Sequence, residues 1–205
     1  MVVLVFSLTV HEAAHAWTAF RLGDNTARDL GRISLNPIVH IDPVGTILLP
    51  LVAYLTHVPI LGWAKPVPVR TRGLRHPRRD LMLIAAAGPV SNLILATIAA
   101  IALRFVPMPD QNATTLGGLD LASPFGYLLL NAARLNLLLA IFNLVPIPPL
   151  DGGNVLASLL PTQLSYRFEQ LRPYGIFVLY GLMLTGLLWF VIAPPYVFLA
   201  ALLQL

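Results

Sequence analysis

His11 and His15 stand four residues apart with Glu12 between them, in the run His11-Glu12-Ala13-Ala14-His15. On a helix that spacing is one turn, about 6 Å of rise, so both imidazoles project from one face and can grip a single divalent ion. Glu12 then sits beside the ion as a general base for water. The competing reading is a pair of packing histidines with an incidental glutamate. It is the weaker one, because the motif interrupts an apolar segment, and ionisable side chains buried in hydrocarbon are costly and functional by default.

Two imidazoles do not complete a catalytic zinc site, which has three protein ligands and one open position for water. The chain has no cysteine, so the third ligand must be histidine, carboxylate or backbone oxygen. A downstream glutamate of the thermolysin kind is disfavoured, since the only other glutamate, Glu169, lies in a polar loop among arginines. His40, His57 and His76 lie in loops or beside prolines, where solvated or interfacial histidines are common. Asp151 is the better candidate, in the run Asn143-Leu144-Val145-Pro146-Ile147-Pro148-Pro149-Leu150-Asp151-Gly152-Gly153. It serves equally well as the N-cap of a short helix from Asn154 to Leu160, and the aspartate alone does not separate the two roles.

The residues before Asp151 carry information of their own. Pro146, Pro148 and Pro149 remove amide donors and push their preceding residues out of the helical region, so an apolar helix must open there. Irregular backbone at membrane depth survives only where protein or a watery cavity satisfies it. Chemistry that consumes water needs such a cavity, and Gly152 and Gly153 allow a tight turn beside it.

The elements that must position these groups read as membrane helices. The 205 residues are 57% hydrophobic and 11% charged, with mean hydropathy +0.78, against roughly 25% charged residues in a soluble domain. Apolar stretches at 1–20, 81–105, 125–145 and 174–193 are long enough to span a bilayer. Val44 to Trp63 is interrupted by Pro50 and Pro59, and Tyr196 to Leu205 is only half a span. The N-terminal run has no Lys or Arg before His11 and no cleavage site, so it reads as a retained helix rather than a signal peptide.

Charge sets the orientation. Lys65, Arg70, Arg72, Arg75, Arg78 and Arg79 mark one loop as cytoplasmic, whereas the stretch from Pro107 to Pro124 carries Asp110 and Asp120 and no base. Arg21, Arg28 and Arg32 place the loop after the first helix on the cytoplasmic side too, so Val44 to Trp63 reads as a re-entrant hairpin. The net charge of +4 follows from these loops and not from a nucleic-acid-binding surface. The expected fold is an all-α polytopic membrane protein of about 4–6 transmembrane helices, with a re-entrant segment and a small membrane-associated β element. Residues 1–205 read as one membrane-embedded domain.

His11 to His15 in an early helix, followed by Asn143-x-x-Pro146-x-x-Pro149-x-Asp151-Gly152 in a later one, resembles the site-2 protease family of intramembrane zinc metalloproteases. Four further runs resemble its compact bacterial members: Gly31 to Pro37, His40 to Thr46, Gly62 to Val69 and Ala87 to Asn92. The PDZ and CBS domains of some members have no counterpart in these residues. The resemblance implies that His11, His15 and Asp151 bind one zinc ion, that Glu12 activates water, and that Asn143 hydrogen-bonds substrate backbone or the developing oxyanion. It further implies a transmembrane or membrane-tethered protein substrate, and a bacterial inner-membrane location with the active site towards the cytoplasm. A substrate helix must unwind before attack, and the edge of Arg32 to Pro37, with Asn36, or the Pro146 to Pro149 stretch is a candidate clamp for the extended strand.

Other residues read as structural. Gly88 and Pro89, with Ser91 and Asn92, fall inside the second span, where Ala85 to Gly88 with Pro89 favour close, kinked helix packing over a direct role in the active site. Arg134 and Asn136 are too polar for lipid and are expected to face the bundle. Two further functions compete, a zinc transporter and a zinc-binding homologue without catalysis. Transporters usually show internal repeats, which are absent here, and a non-catalytic homologue has no need of the full set His11, Glu12, His15 and Asp151. The sequence leaves the oligomeric state open.

Overall fold

The computed structural model of the chain describes residues 2–56, 64–106 and 122–205, and they are helical throughout their regular parts. The helices are α1 (Val2–Arg21), α2 (Thr26–Asp29), α3 (Leu49–Thr56), α4 (Pro77–Leu103), α5 (Ala122–Asn143), α6 (Asp151–Leu159), α7 (Thr162–Gln170), α8 (Gly175–Leu184) and α9 (Leu187–Leu203). His57, the end of the Val44 to Trp63 stretch, and Asp110 and Asp120 lie outside the described residues.

α4 is the central element and packs against α1, α5 and α6. Its buried positions include Ala85, Gly88, Asn92, Ala96, Ala99 and Ala100, a face of small residues that lets neighbouring backbones approach without a hydrophobic drive from lipid. α5 answers with Ala133, Leu137, Ala140 and Ile141. The main apolar cluster joins Ala96, Leu137 and Ile141 to Val145 and Leu150 of the proline loop and to Leu179, Leu188 and Ile192 of the last helices. That cluster holds the loop leading into Asp151.

Among the described residues two helices are long and apolar enough to cross a membrane, Pro77–Leu103 and Pro124–Asn143, or three if the bent pair Thr162–Leu184 and Leu187–Leu203 forms one span. The chain is thus an integral membrane protein with fewer clear spans than the about 4–6 expected from apolar runs. α1, 20 residues long, falls short because His11, Glu12 and His15 replace apolar residues in its middle. The expected span at 174–193 is broken. Gly186 takes a left-handed conformation at φ 75°, and the two segments meet at 79°. The residues from Tyr196 onward then complete α9, which continues through Pro194 and Pro195.

No strand forms among the described residues. Where a β element was expected, Arg32 donates to the Val39 carbonyl and Asn36 Oδ1 accepts from the Ile38 amide at 3.1 Å, starting the 3-10 turn Pro37–His40. The segment is therefore curled on itself.

The two basic loops meet at one end of the bundle. Asp24 accepts from the Arg70 amide at 2.6 Å and from the Thr26 amide at 2.9 Å. Gly23 and Gly73 approach so closely that a Cβ on Gly23 would lie 2.7 Å from the Gly73 carbonyl oxygen, and Lys65 donates its amide to the His40 carbonyl at 2.9 Å. The chain between α1 and α4 thus starts and finishes at the same end, as the loop charges required. Burial by itself opposes ionisation of Asp24, yet the hydrogen bonds from Thr26 and Arg70 and the Arg70 charge together hold the carboxyl below its ordinary value.

A depressed folded-state value means that this stability is present above the unfolded aspartate pKa, about 3.9, and is lost as pH falls through the folded one. Asp24→Asn is expected to cost about 2 kcal/mol near neutral pH and to flatten the acid-side loss. Denaturant unfolding in detergent, followed by circular dichroism at pH 7 and pH 3, checks both effects.

Candidate metal centre

α1 turns His11 and His15 inward, 4% and 7% exposed. Each ring is oriented through its Nδ1, which lies 2.6 Å from Asn92 Oδ1 in His11 and 2.6 Å from the Ile84 carbonyl oxygen in His15. Both partners are acceptors, so each Nδ1 carries the proton and each neutral ring presents a lone pair at Nε2. These two Nε2 atoms are 3.1 Å apart. Asp151 Oδ2 lies 3.1 Å from His11 Nε2 and 3.3 Å from His15 Nε2.

Three acceptor atoms at this separation repel one another unless a cation sits among them. Donors about 2.0–2.1 Å from a tetrahedral zinc lie roughly 3.3 Å apart, so the separations fit that ion. Asp151 Oδ2 is moreover buried with no hydrogen-bond donor in reach. A carboxylate oxygen left without protons in such a place fits a metal ligand. Among the described residues this is the group of three side chains able to hold a metal ion.

Local sequence explains how the ligands arrive. A Cβ on Gly88 would lie 2.6 Å from His11 Nε2 and would also collide with His15, so only glycine lets α4 come this close to the imidazoles. The expectation of close packing at Gly88 holds, and what it packs against is the histidine pair. Asp151 is the first residue of α6, with Leu150 in the capping position, so the helix begins earlier than the Asn154 start considered from sequence and the carboxylate caps nothing. A Cβ on Gly153 would meet Pro148 N at 2.8 Å, which shows how tightly the proline loop folds back on the first turn of α6.

One partner was not legible beforehand. Asn92 orients His11 and in turn donates to Asn136 Oδ1 at 2.8 Å, and Asn136 donates to the Ala132 carbonyl at 2.9 Å. An asparagine inside an apolar span was the available signal. Asn136 faces the bundle as expected, but Arg134 does not and is exposed.

Glu12, half-buried beside His11, makes no hydrogen bond with the described residues. His40 is buried at 3% exposure with Nε2 directed to the Ser34 carbonyl oxygen at 2.9 Å, and His76 is exposed; neither joins the metal group. Glu169 pairs with Arg172 at 2.7 Å. Asn143 ends α5 and donates to the Leu139 carbonyl at 3.0 Å.

Comparison with known proteins agrees with this chemistry. A model described as "Peptidase family M50" matches residues 1–186. "Putative zinc metalloprotease YwhC" of Bacillus subtilis (strain 168) is 38% identical over 194 residues, covering 95% of this chain and 84% of that protein. "Putative zinc metalloprotease Rip2" of Mycolicibacterium smegmatis is 30% identical over 189 residues, 91% of this chain and 67% of its own. Rip2 of Mycobacterium tuberculosis (strain ATCC 25618 / H37Rv) is 32% identical over 187 residues, 90% and 66% respectively. No solved structure matches the chain. Zinc is therefore the cofactor, and the three donors fit it.

Loss of an outer-shell orienting group typically weakens metal binding about 10–100-fold. Asn92→Leu is expected to fall in that range, and Gly88→Ala, which drives a methyl group into both imidazoles, beyond it. Zinc affinity measured by competition with a chromogenic chelator checks the order.

Proposed function

The chain belongs to peptidase family M50, and from that premise we propose that it is an intramembrane zinc metalloprotease, hydrolysing peptide bonds in or beside the transmembrane segments of other proteins. The observation that carries the proposal is the convergence of His11 Nε2, His15 Nε2 and Asp151 Oδ2, with the aspartate oxygen buried and without a donor. Residues 1–205 act as one membrane-embedded domain.

Zinc, when bound by these three residues, supplies a Lewis acid for water and for the substrate carbonyl. Every other step falls to the chain itself. Asn92 and the Ile84 carbonyl hold the two imidazoles in the tautomer that leaves Nε2 free. Glu12, next to His11 and engaged by no other described group, takes the proton from water and returns it to the leaving amine. The proline loop from Pro146 to Pro149 opens the end of α5 next to Asp151, which provides water's route to the ligands.

The substrate enters as a helix and is cut as an extended strand. In the irregular segment Arg32 to Asn36 the Arg32 and Asn36 amides and the Ser34 and Asn36 carbonyls are already engaged, so Ile33 and Leu35 offer the backbone groups that can pair with that strand. Asn36 spends its carbonyl on the Ile38 amide and keeps its side-chain N–H groups for substrate, while Asn143, with its side-chain oxygen unspent, binds substrate backbone near the metal. The metal centre lies towards the basic end of the bundle. His15 is six residues, about 9 Å, from Arg21, and excess Arg and Lys mark the cytoplasmic side. This placement supports a site near the cytoplasmic face, and the bacterial relatives support an inner-membrane location.

Cleavage of a single-pass substrate in proteoliposomes, with zinc measured in the same samples, tests the proposal. Glu12→Gln should keep about one zinc per chain and lose about 10²–10⁴-fold in rate. His11→Ala and Asp151→Ala should lose both zinc and activity. A Glu12→Gln protein that still carried zinc across vesicles would favour a transporter, and one that cleaved at full rate would remove Glu12 from the mechanism. Asn36→Ala and Asn143→Ala are each expected to lower kcat/KM about tenfold, the worth of one hydrogen bond of about 1.4 kcal/mol. Unchanged turnover in both would end the strand-clamp idea.

A further inference from the structure

Arg134 lies close to the middle of the longest apolar part of α5. Phe125 is nine residues before it and Phe142 eight residues after it, about 13 Å and 12 Å along the axis, in a hydrocarbon layer about 30 Å thick. The side chain is exposed, away from the buried face of Ala133, Asn136, Leu137 and Ala140. It makes no hydrogen bond or ion pair with the described residues. Asn131 and Tyr127, three and seven residues earlier, share its face and are exposed as well. Asn131 donates to the Tyr127 carbonyl at 2.8 Å, which leaves its side-chain oxygen unused.

We propose that Tyr127, Asn131 and Arg134 form a docking surface for a transmembrane helix of another protein, one that carries a carboxylate near the bilayer midpoint. A charged side chain at this depth is costly unless a partner meets it, and the planar guanidinium fork matches a carboxylate through two parallel hydrogen bonds. Asn131, one turn away, adds the interhelical hydrogen bond that membrane helices use for register.

A second copy of this chain does not suit the stripe. Two copies in one membrane share an orientation, so a symmetric pair through this face would set Arg134 against Arg134 at equal depth, and the stripe holds no acid. A lipid phosphate lies at the end of the span and would serve Arg134 alone, leaving the unused Asn131 oxygen in hydrocarbon.

The test uses the whole chain carrying Glu12→Gln, so that binding is read apart from cleavage, in phosphatidylcholine vesicles at pH 8. The probes are labelled leucine-rich transmembrane peptides with Glu, Leu or Lys at the midpoint, followed by energy transfer. The Glu peptide is expected to bind at least tenfold more tightly than the Leu peptide, and Arg134→Leu to abolish that preference. Arg134→Glu should prefer the Lys peptide instead, a reversal that misfolding cannot produce. Equal binding of Glu and Leu peptides, or a preference that survives Arg134→Leu, overturns the proposal. Energy transfer between labelled copies of the chain that requires Arg134 overturns it in favour of self-association. Arg134-dependent quenching by headgroup-labelled lipid, with no peptide preference, overturns it in favour of lipid.

Discussion

Two imidazole lone pairs and a carboxylate oxygen crowd into one small volume, and no proton is left to lie between them once each Nδ1 has committed its own. A cation at its centre relieves that electrostatic conflict, and much of the surrounding architecture can be understood as what is needed to impose it. α1 brings the imidazoles, α4 removes a side chain at Gly88 to receive them, and the loop after α5 returns the carboxylate to the same place. The main apolar cluster pins that loop through Val145 and Leu150, so hydrocarbon packing positions a hydrophilic centre.

The polar path behind His11 follows the same logic at lower charge. Asn92 donates to Asn136 inside a span and Asn136 donates to the Ala132 carbonyl, so each amide oxygen and nitrogen that fixes the imidazole has a partner in the low-dielectric interior. A connected network of this kind holds one arrangement of α1, α4 and α5 in preference to others. It makes the helix interface specific where small apolar residues alone would permit sliding.

The candidate site residues were legible because their chemistry is local or of a rare type. His11, Glu12 and His15 occupy one helical turn, and Asp151 stands out beside prolines that no continuous helix accommodates. Asn92 was not legible, since its task depends on an 81-residue separation in sequence that only packing closes. The helical architecture followed from composition, but the break at Gly186 did not, because the apolar run continues across it without interruption. The small β element is not seen among the described residues, and near Arg32 the local turn bonds of the Arg32 and Asn36 side chains occupy the Val39 carbonyl and the Ile38 amide. Arg134 was expected on the bundle face and lies on the exposed one, because helix rotation is decided by the partners of Ala133 and Leu137 rather than by the arginine.

The ligands come from residues 11, 15 and 151, and that separation has a consequence for how the protein is made. A ribosome adding about 5–20 residues per second needs on the order of ten seconds between releasing the second histidine and supplying the aspartate. During that interval the first helix carries three ionisable side chains with neither their metal set nor their α4 partners complete. The newly made segment is therefore expected to wait at the insertion machinery or at the water interface, and full burial of α1 becomes a late event in biogenesis although α1 is made before both α4 and α6.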